Sequence, residues 1–476
     1  MLRRQLERAL ERAQELGASY ADIRIVERRR SAVSLKNGAV ERLANESERG
    51  FGIRVLVDGG WGYVGSAEIT AEEIERMTER AIAIGRASAR VQRKKVELAP
   101  VESFEDTYRG PLERDPEDVP LEEKLAFLGD ITKALRSQPE IRVATAGLTM
   151  LKQDKIFAST EGSYIEQSHC ESGAHLNALA SDGHTTQWRS FDDTWQAGYE
   201  FIERLNLIER SRALASEAVQ LLKAPPCPVG VTDLIMGSNQ LALQIHESCG
   251  HPIELDRVLG QEASYAGTSF LTIDKRGTFR YGSPEVNLVA ESLTPGGLGT
   301  FGYDDEGVPA QRTQVVEKGI FKNYLMSRET APLFGLTSNG TVRAESWMNV
   351  PMIRMNNISL EPGDWTLDEI IKDTKRGVFV ETPKSWSLDD KRLNFHFAQE
   401  IAYEIVDGSL GRMLKNPAYH DLTPHFWNAC DAVAGKDEWH LWGMPSCAKG
   451  EPVQIAHVAH GAAPARFRGV KVGVDA

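Results

Sequence analysis

Leu2, Leu6, Ala9, Leu10, Ala13 and Leu16 recur at three- and four-residue intervals. That is the spacing of one apolar helical stripe, and Gly17 follows where the helix can close. The period then shortens to two. "ADIRIVERR" alternates as a strand, and "GFGIRVLVDGGWGYVGSA" reads as two strands joined at Asp58-Gly59-Gly60, a hairpin signal. "TAEEIERMTERAIAIGRASAR" returns to helical spacing, with Thr70 as its N-cap and carboxylates in its first turn. Residues 93–119 are polar and carry prolines, as a connection does. "LEEKLAFLGDITKALRSQ" is helical, strand-like alternation dominates from Ile141 to about Tyr199, and "IERLNLIERSRALASEAVQLLKA" is helical again.

The prolines of "APPCPVG", residues 224–230, stop that helix, and Cys227-Pro228 keeps the chain extended. A domain boundary is expected there. Beyond it "VTDLIMG" reads as a strand and "SNQLALQIHESCG" as a helix capped by Ser238. Most of the remainder, to about residue 405, is glycine-rich and strand-like, with "WTLDEIIKDTKRG" a helical exception. No tandem repeat and no low-complexity tract is present. The expected fold is α+β in two domains: residues 1–222 with helices and antiparallel strands, and residues 228–476 mostly antiparallel β with few helices.

Composition narrows the function classes. A net charge of −13 argues against a sequence-independent nucleic-acid binder and against adhesion to an anionic membrane. No apolar run is long enough to span a bilayer, and charges recur through "MLRRQLERALERAQELG", unlike a secretory signal. Cys170, Cys227, Cys249, Cys430 and Cys447 are odd in number and widely spaced in a chain of 476 residues. Reduced thiols in a cytoplasm are expected rather than a disulfide framework.

The chemistry concentrates in "LALQIHESCGHPIELD", residues 241–256. His246-Glu247 begins as the zinc-protease signature HExxH does, but His251 stands five positions on, not four. On a regular helix successive residues turn by about 100°. Histidines four apart therefore differ by about 40° and share an ion, whereas five apart they differ by about 140° and diverge. Two local devices can bring His251 back. Gly250 tolerates unusual dihedrals and Pro252 disfavours the α region for His251, so the helix can break there. Alternatively, a one-residue π-bulge widens the winding until i and i+5 align. A catalytic zinc site needs a third protein ligand and an open position. Cys249, between the histidines, reads as a small buried apolar residue. On spacing alone Cys430 and Cys447 both qualify as the third ligand.

HExxxH with a distant cysteine resembles the TldD/PmbA family of zinc-dependent peptidases, in its catalytic TldD-type form. "GYDDEG" (302–307), "VPMIRMNNISLEPG" (350–363), "SCAKGEP" (446–452) and the N-terminal hairpin support the resemblance along nearly the whole chain. It implies that His246, His251 and Cys447 bind Zn²⁺, on a helix of the C-terminal domain, and that Glu247 is the general base. It also implies a homologous partner subunit, in a hetero- or homodimer enclosing a cavity. An unfolded peptide or small protein would lie there as an added β-strand. Two stretches depart from the family pattern: Ser385, Trp386 and Ser387 stand in a region that is otherwise glycine-rich, and Ala448 follows Cys447. The alternatives are a non-catalytic peptide-binding or scaffolding subunit, which would lack the metal motif, and a metal-dependent hydrolase of small non-peptide substrates.

Other residues carry weaker signals. Gly297 and Gly299 in "TPGGLGTFG" are placed as substrate contacts, because glycines let a peptide backbone approach. His440 is placed with them. His420 and His425 read as loop histidines in aromatic packing, and His457 and His460 as structural. Asp304, Asp305 and Glu306 before Gly307 read as a turn rather than a second cation site.

Overall fold

The computed structural model describes residues 2–473. In chain order its N-terminal half contains α1 (Leu2–Glu15), β1 (Tyr20–Lys36), β2 (Ala39–Val57), β3 (Gly60–Ser66), α2 (Ala71–Val91), β4 (Glu105–Arg109), α3 (Leu121–Leu135), β5 (Ile141–Ser159), β6 (Tyr164–Ser181), β7 (Thr186–Trp195), α4 (Glu200–Arg204) and α5 (Leu207–Lys223). One sheet takes all seven strands, in the order β3-β2-β1-β5-β6, with β4 and β7 both pairing β6. The local signals act as their chemistry dictates. Gly17 closes α1 at φ +94°, Asp58 and Gly59 take φ 54° and 85° in the β2–β3 turn, and Thr70 Oγ1 accepts the Glu73 N–H at 3.2 Å. α1 and α2 bury Leu6, Leu10, Ile74 and Ala81 against Ile23, Ile53 and Val55 at one end of the sheet. α3 and α5 bury Leu128, Ile131, Leu214 and Ala218 against Leu148, Leu176 and Ala178 at the other.

The C-terminal half contains β8 (Gly230–Met236), α6 (Ser238–Ile245), α7 (Leu255–Val258), β9 (Leu288–Glu291), β10 (Arg312–Glu317), β11 (Ile320–Phe321), β12 (Val342–Arg343), β13 (Met352–Ile353), β14 (Asn357–Leu360), α8 (Leu367–Lys372), β15 (Arg376–Leu388), β16 (Asn394–Val406), β17 (Ser409–Leu414), β18 (Ala418–Leu422), α9 (Thr423–Asn428), β19 (Cys430–Val433), β20 (His440–Lys449), β21 (Gln454–Ala462) and β22 (Ala465–Val472). A six-stranded sheet runs β11-β10-β9-β14-β21-β20, and a seven-stranded sheet is built on β15, β8, β22, β18, β16 and β17, with β19 on β22. Most pairings are antiparallel; β8–β15 and β14–β21 are parallel. α6 touches β15 of one sheet and β14, β20 and β21 of the other. It is buried on every side, as a helix between two layers must be. Its two internal amides are bridged by one phenol: Gln240 Nε2 donates to Tyr419 Oη at 3.2 Å, and that hydroxyl donates to Gln244 Oε1 at 2.7 Å.

The fold is therefore α+β, with antiparallel sheets dominating. Two local expectations are corrected. Ser238 is not the cap of α6. Gly237 holds that position, and the Ser238 hydroxyl accepts Trp442 Nε1 at 3.1 Å instead. The stretch 259–287 is not strand-like; it is a series of turns, because Gly260, Gly267 and Gly277 adopt φ of 86°, 87° and 83° and reverse the chain repeatedly. We propose the division at 222/228 as the domain boundary, since each described sheet lies wholly on one side of it.

The two halves meet through buried charge. Gly307 turns at φ +73°. Asp305 pairs with Arg24 of β1 at 3.1 Å and with Lys155 of β5, and Glu306 reaches Arg54 of β2 at 3.5 Å and accepts the Arg328 N–H at 2.7 Å. Arg24 and Asp305 are each 1% exposed, so each charge depends on its buried partners. The turn expected at 304–307 is present, and it also ties the N-terminal sheet to the C-terminal half.

Candidate metal centre

α6 does not break at its C-terminal end; it widens. Residues His246–Gly250 form one π-helical turn, closed by the His251 N–H on the His246 carbonyl. Gly250 keeps ordinary helical dihedrals (φ −55°, ψ −60°), and so does His251 (φ −64°, ψ −41°) despite the following proline. Of the two routes open to His251 the chain takes the bulge, and the roles expected of Gly250 and Pro252 are corrected. Gly250 is required by space: a Cβ there would lie 2.1 Å from Met355 Sδ. Pro252 has no N–H to give back to the turn, and the Ser248 carbonyl accepts Tyr281 Oη at 2.9 Å instead.

The wide turn stacks the His246 and His251 rings edge to face, 4.8 Å between centroids. β20 brings Cys447 beside them. The ligating atoms of His246, His251 and Cys447 all lie within 4.8 Å of one another, and all three residues are buried. Burial opposes a thiolate at Cys447, but the neighbouring His246 and His251 rings outweigh it and pull the thiol well below its ordinary value. Cys430, by contrast, sits in the core on β19, outside this cluster, and burial pushes its thiol up. Cys249 is fully buried apolar filling. All five cysteines are free.

Hydrogen bonds around the cluster fix which ring nitrogens face it. His460 Nδ1 lies 3.0 Å from the Ile358 carbonyl oxygen, which can only accept, so that nitrogen donates. His460 Nε2 is then the acceptor for His246 Nδ1 at 2.7 Å, and His246 Nε2 is left with its lone pair free. On the other ring, His251 Nδ1 donates to Glu254 Oε2 at 3.0 Å. Burial pushes the Glu254 carboxyl up, but Lys449, His251 and Arg257 offset this and hold it well below the usual carboxylate range. His251 Nε2 therefore also faces the cluster. Two imidazole nitrogens and a thiolate, buried and oriented from behind, form a donor set that fits Zn²⁺.

Glu247, one residue beyond the first histidine, is 7% exposed. Trp386 Nε1 donates to its Oε1 at 2.9 Å and Arg392 Nη1 to its Oε2 at 3.0 Å. The other candidate residues lie outside the three-residue cluster. Gly297 and Gly299 close against the Asn356-Asn357 segment: a Cβ would meet Asn357 Oδ1 at 2.5 Å or the Asn356 carbonyl carbon at 2.3 Å. His440 meets Asp193 of β7 at 2.8 Å and packs on Trp195 and Trp442. His420 opposes His396 across two strands, and His425 pairs with Asp421. His457 pairs with Glu171 of β6, so it joins the two halves.

Sequence reasoning missed four neighbours of the cluster. Glu254 had a local signal, since i and i+3 share a helical face. His460 had one too, because three residues along a strand send His457 and His460 to opposite faces. Trp386 stands out in the sequence only as a departure from the family pattern, and Arg392 not at all; they stand 139 and 145 residues from Glu247.

The chain matches three family models in succession: PmbA/TldA metallopeptidase domain 1 over residues 21–85, the central domain over 114–224 and the C-terminal domain over 229–473. It is similar to a metalloprotease of Methanocaldococcus jannaschii, with 32% identity covering 86% of this chain and 87% of that one. It is also similar to a zinc metalloprotease TldD homolog of Saccharolobus solfataricus, with 25% identity covering 98% of each. Among solved structures, TldE from Thermococcus kodakarensis shares the fold with a TM-score of 0.75 at 17% identity, covering 99% of this chain and all of that one. A Thermotoga maritima protein does so with a TM-score of 0.80 at 20% identity and the same coverage.

Proposed function

The chain belongs to the PmbA/TldD metallopeptidase family, and on that premise we propose that it is a zinc-dependent peptidase that cleaves unfolded or short polypeptides. The convergence of His246, His251 and Cys447 in one buried cluster, with Glu247 at its side, carries the reading. These three residues would hold the ion, and when bound it supplies a Lewis acid that acidifies water and polarises the scissile carbonyl. Glu247 is the general base: it takes the proton of the attacking water and returns it to the leaving amine. His460 and Glu254 hold the two rings with their Nε2 atoms turned inward.

β20, which carries Cys447, ends the six-stranded sheet. An extended peptide bound as a β-strand beside the cluster would gain main-chain hydrogen bonds with little side-chain selectivity. Gly297, Gly299 and His440 remain proposed substrate contacts. A homologous subunit is the proposed partner, and TldE of Thermococcus kodakarensis shows that homologues of this fold exist beside the TldD relatives. Five free, buried cysteines suit the proposed cytoplasmic setting. Among the described residues no helix is long and apolar enough to cross a membrane.

The test is metal analysis with cleavage of an unstructured polypeptide by the wild type and by Glu247→Gln, alone and with a homologous subunit. The expected result is one zinc per chain in both proteins and at least a hundredfold loss of cleavage in the variant. A wild type that binds zinc yet cuts polypeptides in no combination would be a scaffold. Cleavage of small amides or esters but not of polypeptides would make it a small-molecule hydrolase.

A further inference from the structure

The end of the β15–β16 hairpin reaches back to the cluster, although nothing in its own pairing requires this. Trp386 lies near the end of β15, opposite Phe397, and Arg392 in the turn that follows. Together they donate to both oxygens of Glu247. Arg392 adopts φ +61°, the left-handed region that a non-glycine residue avoids. Such an outlier persists only where its surroundings over-determine it, and here they do. Asp389 accepts the Leu393 N–H at 2.8 Å and the Asn394 N–H at 3.2 Å, and its carbonyl accepts the Arg392 N–H at 2.9 Å. Thr423 Oγ1 donates to the Arg392 carbonyl at 2.9 Å. From the other side the Thr268 and Phe270 N–H groups donate to the Asp390 and Lys391 carbonyls, each at 2.9 Å. Gly267 leaves room for this contact; a Cβ there would lie 2.2 Å from the Asp390 oxygen. The turn is thus tied down on two sides in a conformation that its own sequence disfavours.

We propose that this hairpin end is a positioning device for the Glu247 carboxylate, with Arg392 and Trp386 its two working residues. The inference rests on reading Glu247 as the general base. A carboxylate on a two-carbon stem has several rotamers, and a general base must hold one that presents an oxygen to the attacking water. Each Glu247 oxygen keeps a free lone pair after accepting from Trp386 or Arg392, so the clamp fixes the carboxylate plane without blocking it. A base displaced by about 1 Å loses on the order of a hundredfold in rate. Arg392 and Trp386 act through Glu247, so their loss belongs in kcat, not in substrate affinity.

Two measurements test this. The first is steady-state cleavage of an unstructured polypeptide by zinc-loaded Arg392→Met, Arg392→Lys and Trp386→Phe. Arg392→Met is expected to lose 10- to 100-fold in kcat with KM within threefold, Arg392→Lys to recover part of it, and Trp386→Phe to lose less. In a Glu247→Asp background Arg392→Met should cost little further. An unchanged kcat, a loss confined to KM, or fully additive losses in the double variant would overturn the proposal. The second is read on metal-free protein: the indole N–H resonance of Trp386, assigned by its absence in Trp386→Phe. It should move in Glu247→Gln and in Arg392→Met; an unmoved resonance in both would mean that no clamp exists. If the wild type cleaves no polypeptide, the peptidase reading falls, and the resonance still decides whether the hairpin holds Glu247. Should Arg392→Met fail to fold, Trp386→Phe, at a half-exposed ring, provides the kinetic readout and Glu247→Gln the resonance readout.

Discussion

Replacing His460 by leucine removes the acceptor behind His246 and leaves a side chain of comparable bulk. In the wild type the His246 Nδ1–H reaches His460 Nε2 at 2.7 Å, and His460 is 0% exposed, so water cannot substitute. A buried donor without a partner costs about 1–3 kcal/mol. That cost falls unequally on the two states of the protein. Without metal, His246 can shift its proton to Nε2 and shed the unpaired donor. With metal, Nε2 is a ligand, Nδ1 must carry the proton, and the penalty is unavoidable. Zinc affinity should therefore drop about 10- to 100-fold, the range expected when the partner behind a ligating histidine is lost. Competition against a chromophoric chelator at fixed pH measures it, with the thermal midpoint of metal-free protein as the folding control. His460→Gln, whose carbonyl oxygen can accept the same proton, should keep most of the affinity. If His460→Leu binds zinc within twofold of the wild type while folded, the tautomer chain from Ile358 through His460 to His246 does not set the ligand.

Gly250→Ala should destabilise by about 1–3 kcal/mol through overpacking against Met355, and the Gly250→Ala/Met355→Ala pair should cost at least about 1 kcal/mol less than the sum of its parts. Additive losses in chemical denaturation would refute a steric role for Gly250. Burial pushes the Asp305 carboxyl up, but Lys155 and Arg24 outweigh it and hold it at about 2, against an ordinary 3.8. A depressed carboxylate contributes stability that is present above pH 4 and lost as pH falls through about 2. The linked contribution is about 2 kcal/mol. Asp305→Asn should accordingly be less stable than the wild type at pH 7, and the gap should narrow by about that amount on acidification. A gap independent of pH would show that the ion pairs do not make the difference.

Legibility in the sequence followed the range of the interactions. α1, α2 and the β2–β3 hairpin were readable because a stripe of leucines, a threonine cap and an Asp-Gly-Gly turn act within a few residues of themselves. The proposed ligands His246 and His251 and the proposed base Glu247 lie in one short stretch whose spacing poses a geometric problem. The cap of α6 was misread because Ser238 competes for two roles, and a tryptophan 204 residues away takes its hydroxyl. The Asp305–Arg24 pair, separated by 281 residues, left only the trace of three acidic residues before a glycine, which also reads as a turn.

The same distinction explains why the π turn could be offered as an alternative but not chosen. Nothing between Ile245 and Pro252 prefers five-residue closure over four; a π turn is rare because its local energetics are poorer than those of the α-helix. What selects it is the shell around it. Trp427 Nε1 donates to the Ser248 hydroxyl at 2.9 Å, Tyr281 donates to the Ser248 carbonyl, and Met355 fills the space beside Gly250. His460 and Glu254 then pull the two rings into register from opposite sides. An α-helical turn in the same place would rotate His251 by about 100°, away from Glu254 and from Cys447, and leave buried polar groups unpaired on both sides. The core therefore stabilises the extra residue by penalising its absence, and the spacing that looked like a defect in a known signature is the one that this packing admits.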